Sequence, residues 1–475
     1  MNAPTPAIAT GKPQVDWENV KPGLERSGTK IILPSVPQDM PYAAAIKVLK
    51  AMMQAEETIV SVSDTVPCHF YDGMVAFSKA LEHRYGMSMA VPTPGFWGDT
   101  PPHIIPVRTG PNPKDVYQTP YGTFKLPNID GSVTTRYTLS RGVPVLTITA
   151  EVKQKHKDVV VDLVNLTKQF SKERSIYKSR AIILDRNESG KLDFNEQLKF
   201  FDPHIGKEVP IFDMETEVLI DTALVTPIRH ADRCRKSRIP LKRGILLEGP
   251  YGTGKSLVAK QVAKECVDYD WTFIHCTEPT ALEYALHFAK MYQPCVVFAE
   301  DMDRIADSRG DEANTLINDI DGVVSKTDEI MVVFTTNFAH KIDKAFLRPG
   351  RLDAVISLRA PEQDAVERLV RQYAGETLSI DEDISKAVAK MKGNIPATIR
   401  EIVERSKLAM VMNGNDSISN QDLLVSTIGM ENHLRLINEA KEGERKEDPF
   451  AVLIEKAAKR AIRKNIDEDV LAPEE

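Results

Sequence analysis

Among 475 residues there are only five cysteines, Cys68, Cys234, Cys266, Cys276 and Cys295, and their spacing matches neither a metal-ligand pair nor a disulfide framework. They read as small apolar positions in a reducing compartment, so a cytoplasmic location is expected. No H-E-x-x-H stretch occurs, which argues against a fused zinc peptidase. No apolar run approaches the roughly 20 residues that cross a bilayer, and the opening "MNAPTPAIATGKPQ" lacks the apolar h-region of a secretory leader. No membrane partner is expected. An excess of basic charge is lacking too: 61 Lys and Arg stand against 68 Asp and Glu, a formal charge of −7. That balance argues against a general nucleic-acid binder. What remains, 42% hydrophobic and 27% charged, is the composition of a globular chain long enough for more than one domain.

The chain divides by pattern. Residues 1–40 carry Pro4, Pro6, Pro13, Pro22, Pro34 and Pro37 with little hydrophobic periodicity, and read as an extended or flexible arm. Between 41 and 205, "YAAAIKVLKAMMQAEETIV" and "YDGMVAFSKALEHRY" have helical spacing, "VTTRYTL" and "VPVLTITAEV" alternate as strands, and "KDVVVDLVNLTKQF" returns to helix. A mixed α/β domain is expected there, with a Pro- and Gly-punctuated loop bearing Phe96 and Trp97. Within it, "DRNESGKLDFNE" sets Asp185, Asn187, Ser189, Asp193 and Glu196 at the oxygen positions of an EF-hand calcium loop, with Gly190 at the turn. The preceding "RAIIL" reads as a strand where an EF-hand needs a helix, so a polar hairpin is favoured over calcium.

The strongest chemical signal is "RGILLEGPYGTGKSLVAKQVAKEC". It holds G-x-x-x-x-G-K-S, running Gly249, Pro250, Tyr251, Gly252, Thr253, Gly254, Lys255, Ser256 and on into the helical run at Leu257. Glycines let backbone amides curl around phosphate oxygens with no Cβ in the way. Lys255 is placed for the β- and γ-phosphates and the Ser256 hydroxyl for Mg²⁺. The helix that follows aims its dipole at the anion. ATP with Mg²⁺ is the expected ligand.

Further on come "PCVVFAEDMDRI" and "IMVVFTTNFAHKIDKAFLRPGRLDAVI". Phosphate loop, acidic strand, a strand ending in Thr-Thr-Asn and then "FLRPGRLD" together resemble the AAA family of ATPases, over about residues 206–430. The resemblance implies a P-loop core, a parallel sheet between helices, over 206–360, with a helical lid over 361–430. A mixed α/β N-terminal domain would precede it and a charged helical tail, 431–475, would follow. It also implies roles: Glu300 and Ser256 in the magnesium shell, Asp301 at the attacking water, and Asn337 as the sensor of the γ-phosphate. Arg348 and Arg351 match the fingers that reach a neighbouring subunit's site, which implies a ring, usually a homo-hexamer. A protein client selected by the N-terminal domain is the expected partner.

Two departures and one open alignment bear on this. The commonest clade has Asp then Glu at 300 and 301, whereas here the order is reversed. The shorter Asp301 draws the base back by about 1.5 Å, and a misplacement of about 1 Å can cost roughly 10²-fold in rate. The same order resembles the mitochondrial translocase branch, whose members hydrolyse ATP, and intact Asn337, Arg348 and Arg351 favour a working enzyme. Secondly, "TEPTALEYALHFAKMYQP" has no aromatic-Gly pair for gripping peptide; Tyr284 is the aromatic placed to face a pore, but it reads better as helix packing. Thirdly, the second sensor falls on Ala397 or Arg400, depending on alignment. The basic run 229–243 suggests surface or inter-subunit pairing before nucleic acid.

Overall fold

The computed structural model describes residues 42–87, 90–95, 98–185, 197–206, 208–301, 324–325, 327–338 and 352–446. The expected arm, the loop residues Phe96 and Trp97, all of the EF-hand-like loop beyond Asp185, Arg348, Arg351 and the tail past 446 lie outside the described residues.

The first layer opens with α1 (Tyr42–Glu56), β1 (Ile59–His69) and α2 (Phe70–Tyr85). Two small hairpins follow, β2 (Thr93–Gly95) with β3 (Gly98–Thr100) and β4 (His103–Arg108) with β5 (Val116–Tyr121). Then come β6 (Thr123–Phe124), β7 (Gly131–Ser140), β8 (Val143–Lys153) and α3 (Lys157–Glu173). The antiparallel sheet has the order β1-β8-β7-β6. Central β8 is apolar and buried over most of its length, whereas β1 alternates and lies at the edge. On α3 the buried residues Val160, Leu163, Val164, Thr167, Phe170 and Ser171 recur at helical spacing and form the face that packs on α2 and β1.

The second layer is built from β9 (Ala181–Leu184), β10 (Lys199–Phe200), α4 (Met214–Ile220), α5 (Thr226–Arg229) and α6 (Ala231–Lys236). It continues with β11 (Arg243–Glu248), α7 (Lys255–Asp268), β12 (Thr272–Cys276), α8 (Leu282–Met291), β13 (Cys295–Ala299), β14 (Ile330–Thr336) and β15 (Ala354–Ser357). Their sheet has the order β10-β9-β12-β13-β14-β11-β15, with every neighbouring pair parallel except β10 on β9. β13 and β14 are buried at every residue, as continuous apolar strands covered on both faces must be. Four helices close the described chain: α9 (Gln363–Ala374), α10 (Ser385–Met391), α11 (Pro396–Met412) and α12 (Asn420–Lys446), around a separate core that includes Leu369, Ile402 and Leu423.

Two expected boundaries move. β9 pairs with β12 from Ala181↔Phe273 to Leu184↔Cys276, so residues before 205 belong to the second sheet. A single apolar cluster runs from Val66 and Phe77 through Ile182 to Leu286, Val297 and Phe334, so the break at 205/206 does not separate two cores. The reason is α8, whose apolar face is covered by the first layer. Tyr284 is buried there and stacks on Phe288 at 6.3 Å between ring centroids, which removes it as a pore residue. The break at 430/431 falls inside α12. The EF-hand-like loop joins antiparallel strands, not helices. All five cysteines are buried thiols. Among the described residues no helix is long and apolar enough to cross a membrane.

Candidate nucleotide site

The C-terminal ends of β11, β14 and β13 lie side by side and deliver the polar residues of the site, the place where open parallel sheets take ligands. β11 runs into the phosphate loop, and α7 starts at Lys255. Gly252 and Gly254 have φ of 80° and 104°, left-handed values that favour glycine. Gly252 is also held for lack of room: a Cβ there would lie 2.8 Å from the Cβ of Ala397. Thr253 is buried and donates to the Pro250 carbonyl at 2.8 Å, while Tyr251 stands exposed with its ring edge-on to Phe338.

Lys255 Nζ donates to the carbonyls of Gly249 and Pro250 at 2.6 and 3.0 Å and to Asn337 Oδ1 at 2.8 Å. The ammonium is therefore parked in the mouth of the loop, where a phosphate would exchange for the carbonyls. Asn337 Nδ2 donates to Asp301 Oδ1 at 3.2 Å, so one amide side chain links the cation to the acid. Asp301 itself has φ of 50°, and its N–H donates to Thr335 Oγ1 at 3.0 Å. Beside it, Ser256 Oγ donates to Glu300 Oε1 at 3.2 Å. A cavity of about 420 Å³ is lined by these groups and by Tyr373, Pro396, Ala397 and Arg400 of the helical unit.

The His275 imidazole, with Nε2 3.2 Å from Glu300 Oε1, is the chief cause holding that carboxyl below its ordinary range; burial opposes it, and Ser256 and Lys255 add to it. Glu300 is thus an anion in an oxygen-rich corner. Hydroxyl and carboxylate are the donors Mg²⁺ takes. Among the described residues no group of three or more His, Cys, Asp or Glu could hold a metal alone.

Both alternatives for the second sensor reach the cavity. Ala397 N–H donates to the Gly252 carbonyl at 3.2 Å, and Arg400 is paired with Glu208 at 2.5 Å and lies 4.8 Å above the Tyr373 ring. Three cations of the basic run are engaged within the chain: Arg229 forks onto Glu265, Arg235 onto Glu329, and Lys242 donates to the Val324 carbonyl. Arg348 and Arg351 lie outside the described residues. Sequence reasoning missed His275 and Tyr373. A polar residue near the C-terminal end of the otherwise apolar strand "WTFIHC" was the available signal for the first. Tyr373 gave none, because a tyrosine on an amphipathic helix reads as packing.

A phosphate loop, an acid pair and a bridging asparagine at the strand ends of a parallel sheet define the class, a nucleotide site of the P-loop type. Residues 245–360 match the family described as "ATPase family associated with various cellular activities (AAA)", so this part of the chain is an AAA ATPase domain. It is 29% identical over 252 residues to the "Cell division cycle protein 48 homolog" of Archaeoglobus fulgidus, covering 46% of this chain and 34% of that one. It is 31% identical over 220 residues to a "Proteasome-associated ATPase" of Streptosporangium roseum, covering 39% and 37%. With the "26S proteasome regulatory subunit 6A" of Saccharomyces cerevisiae it shares 26% identity over 239 residues, 45% and 53% of the two chains. The chain thus spans about a third to a half of the length of these curated relatives. None of these relatives shows the mitochondrial translocase branch suggested by the acid order.

Proposed function

We propose that this chain hydrolyses Mg·ATP and, as a ring of identical copies, couples hydrolysis to remodelling a protein client. The observation that carries the reading is the linked row Lys255–Asn337–Asp301 beside Ser256–Glu300, assembled in one cavity. In this mechanism Lys255 leaves the loop carbonyls for the β- and γ-phosphates, neutralising charge that spreads over the equatorial oxygens. Asp301 accepts a proton from the attacking water, and Asn337 fixes the carboxylate and the water's direction. Glu300 and Ser256 would hold Mg²⁺, which when bound offsets charge on the bridging phosphate oxygens. Arg348 and Arg351, supplied by a neighbouring copy, complete the site. Relatives named for the proteasome support a protein client, and three cations of the basic run, Arg229, Arg235 and Lys242, are engaged by groups of this chain.

Steady-state phosphate release tests this. Lys255→Ala should abolish nucleotide binding. Glu300→Gln and Arg351→Ala should each lower turnover by about 10²-fold or more, in the range that electrostatic groups contribute. Wild-type turnover no higher than that of these variants would make the chain a nucleotide-binding scaffold instead.

A further inference from the structure

We propose that His275 is a positioning residue that holds the Glu300 carboxylate against Ser256, taking up the freedom of a glutamate side chain at that place. This rests on the ATPase reading above. Glutamate has one more rotatable bond than aspartate, and ordering long acidic side chains has an entropic cost. In this site both Ser256 Oγ and His275 Nε2 lie 3.2 Å from the same oxygen, Glu300 Oε1. The Glu300 backbone is tied to the same neighbour strand, its N–H donating to the Cys276 carbonyl at 3.0 Å.

The His275 ring cannot easily turn away. β12 pairs with β13 in the register His275↔Phe298, and the ring is flanked by Phe298, Phe273 and Phe201, with centroids 6.0, 6.3 and 6.4 Å distant. That packing aims Nε2 at Glu300. The nitrogen is buried and makes no aligned hydrogen bond among the described residues. A buried polar atom so placed is costly unless it gains a partner, and a small rotation of the Glu300 carboxylate provides one. Groups that orient a metal-facing acid typically contribute about 10- to 100-fold in metal affinity or activity.

The experiment separates this from plain packing. His275→Phe keeps an aromatic ring and removes the nitrogen; His275→Gln keeps a polar group. Binding of a fluorescent ATP analogue is followed against Mg²⁺ concentration and in EDTA. His275→Phe should raise the Mg²⁺ midpoint by about 10-fold or more, with binding in EDTA unchanged as the sign of an intact fold. His275→Gln should recover part of the shift. In a Glu300→Asp background, whose acid falls short of the imidazole, His275→Phe should move the midpoint less than about twofold, the non-additivity expected when the partner is gone. An unmoved midpoint for both His275 variants, or an equal shift in both backgrounds, overturns the positioning role alone. Wild-type protein that binds the analogue no better with Mg²⁺ than in EDTA overturns the ATPase reading and this proposal together.

Discussion

Asp301 carries the departure that matters most for rate. Its backbone sits in the left-handed region, at φ of 50°, which aspartate tolerates better than most residues. Such strain costs about 1–3 kcal/mol, and here it is held by the Thr335 hydroxyl on the Asp301 N–H and by Asn337 on the carboxylate. The turn re-aims a short acid, which is the kind of backbone adjustment that lets aspartate stand where a longer base would reach. Asp301→Asn preserves length while removing the proposed base. It should lower kcat by about 10²- to 10⁴-fold, the usual share of a general base, and leave ATP affinity nearly unchanged. Thr335→Val removes only the anchor on the backbone and should give a smaller fall in kcat. Single-turnover hydrolysis with a parallel binding titration checks both, and an undiminished kcat for Asp301→Asn would place the base elsewhere.

Among the elements, those that declare themselves locally were legible in the sequence. The phosphate loop between strand and helix, the apolar runs of β13 and β14 and the period of α2 and α3 all depend on residues close in the chain. The docking of the first layer on α8 did not show, because "ALEYALHFAKMY" announces an apolar face without naming what covers it. What covers it includes a buried polar knot. Asp72 on α2 accepts from Tyr292 Oη at 3.0 Å, Ser175 Oγ at 2.7 Å and the Ile176 N–H at 2.9 Å, and the His69 N–H donates to the same tyrosine oxygen at 2.8 Å. Burial pushes the Asp72 carboxyl from 3.8 up to about 6, against the pull of its hydrogen bonds and of Lys79. Burial also drives His69, whose ring nitrogens have no hydrogen-bond partner among the described residues, from 6.5 down to about 3. Cys68, Tyr177 and Tyr292 nearby are pushed up by burial and stay protonated. The two shifts oppose each other in acid. Asp72, raised in the fold, contributes stability that is present below 3.8 and lost as pH rises through about 6, on the order of 3 kcal/mol. His69, depressed in the fold, contributes stability present above 6.5 and lost as pH falls toward about 3. Asp72→Asn removes the first and leaves the second, so its stability should fall more steeply than wild type between about pH 6.5 and 4. Urea unfolding across that range is the measurement, and parallel pH profiles would remove Asp72 from the account.

For the whole molecule, the shared cluster decides whether the first layer is a separable module. A chain beginning at residue 206 would lose β9, leaving the Phe273–Cys276 side of β12 as an open sheet edge. It would also bare the face of α8 and its exit, where Tyr284, Phe288 and Tyr292 are at most 6% exposed in the full chain. Burying a large aromatic or aliphatic side chain contributes about 1.5–3 kcal/mol, so three such groups approach the whole stability of an ordinary domain, about 5–15 kcal/mol. Residues 206–446 alone should therefore aggregate or unfold, whereas a chain of residues 42–446 should remain monodisperse with the first layer and β13 melting together. Light scattering and calorimetry distinguish these outcomes. The coupling has a functional consequence: Tyr292, held by Asp72, lies three residues before the start of β13, and β13 ends at the acid pair. A client bound to the first layer would then act on a strand that it already grips. Tyr292→Phe, which cuts the hydrogen bond and keeps the ring, should weaken any stimulation of ATP turnover by the client more than it weakens basal turnover; equal losses would leave the two layers mechanically fused but functionally uncoupled.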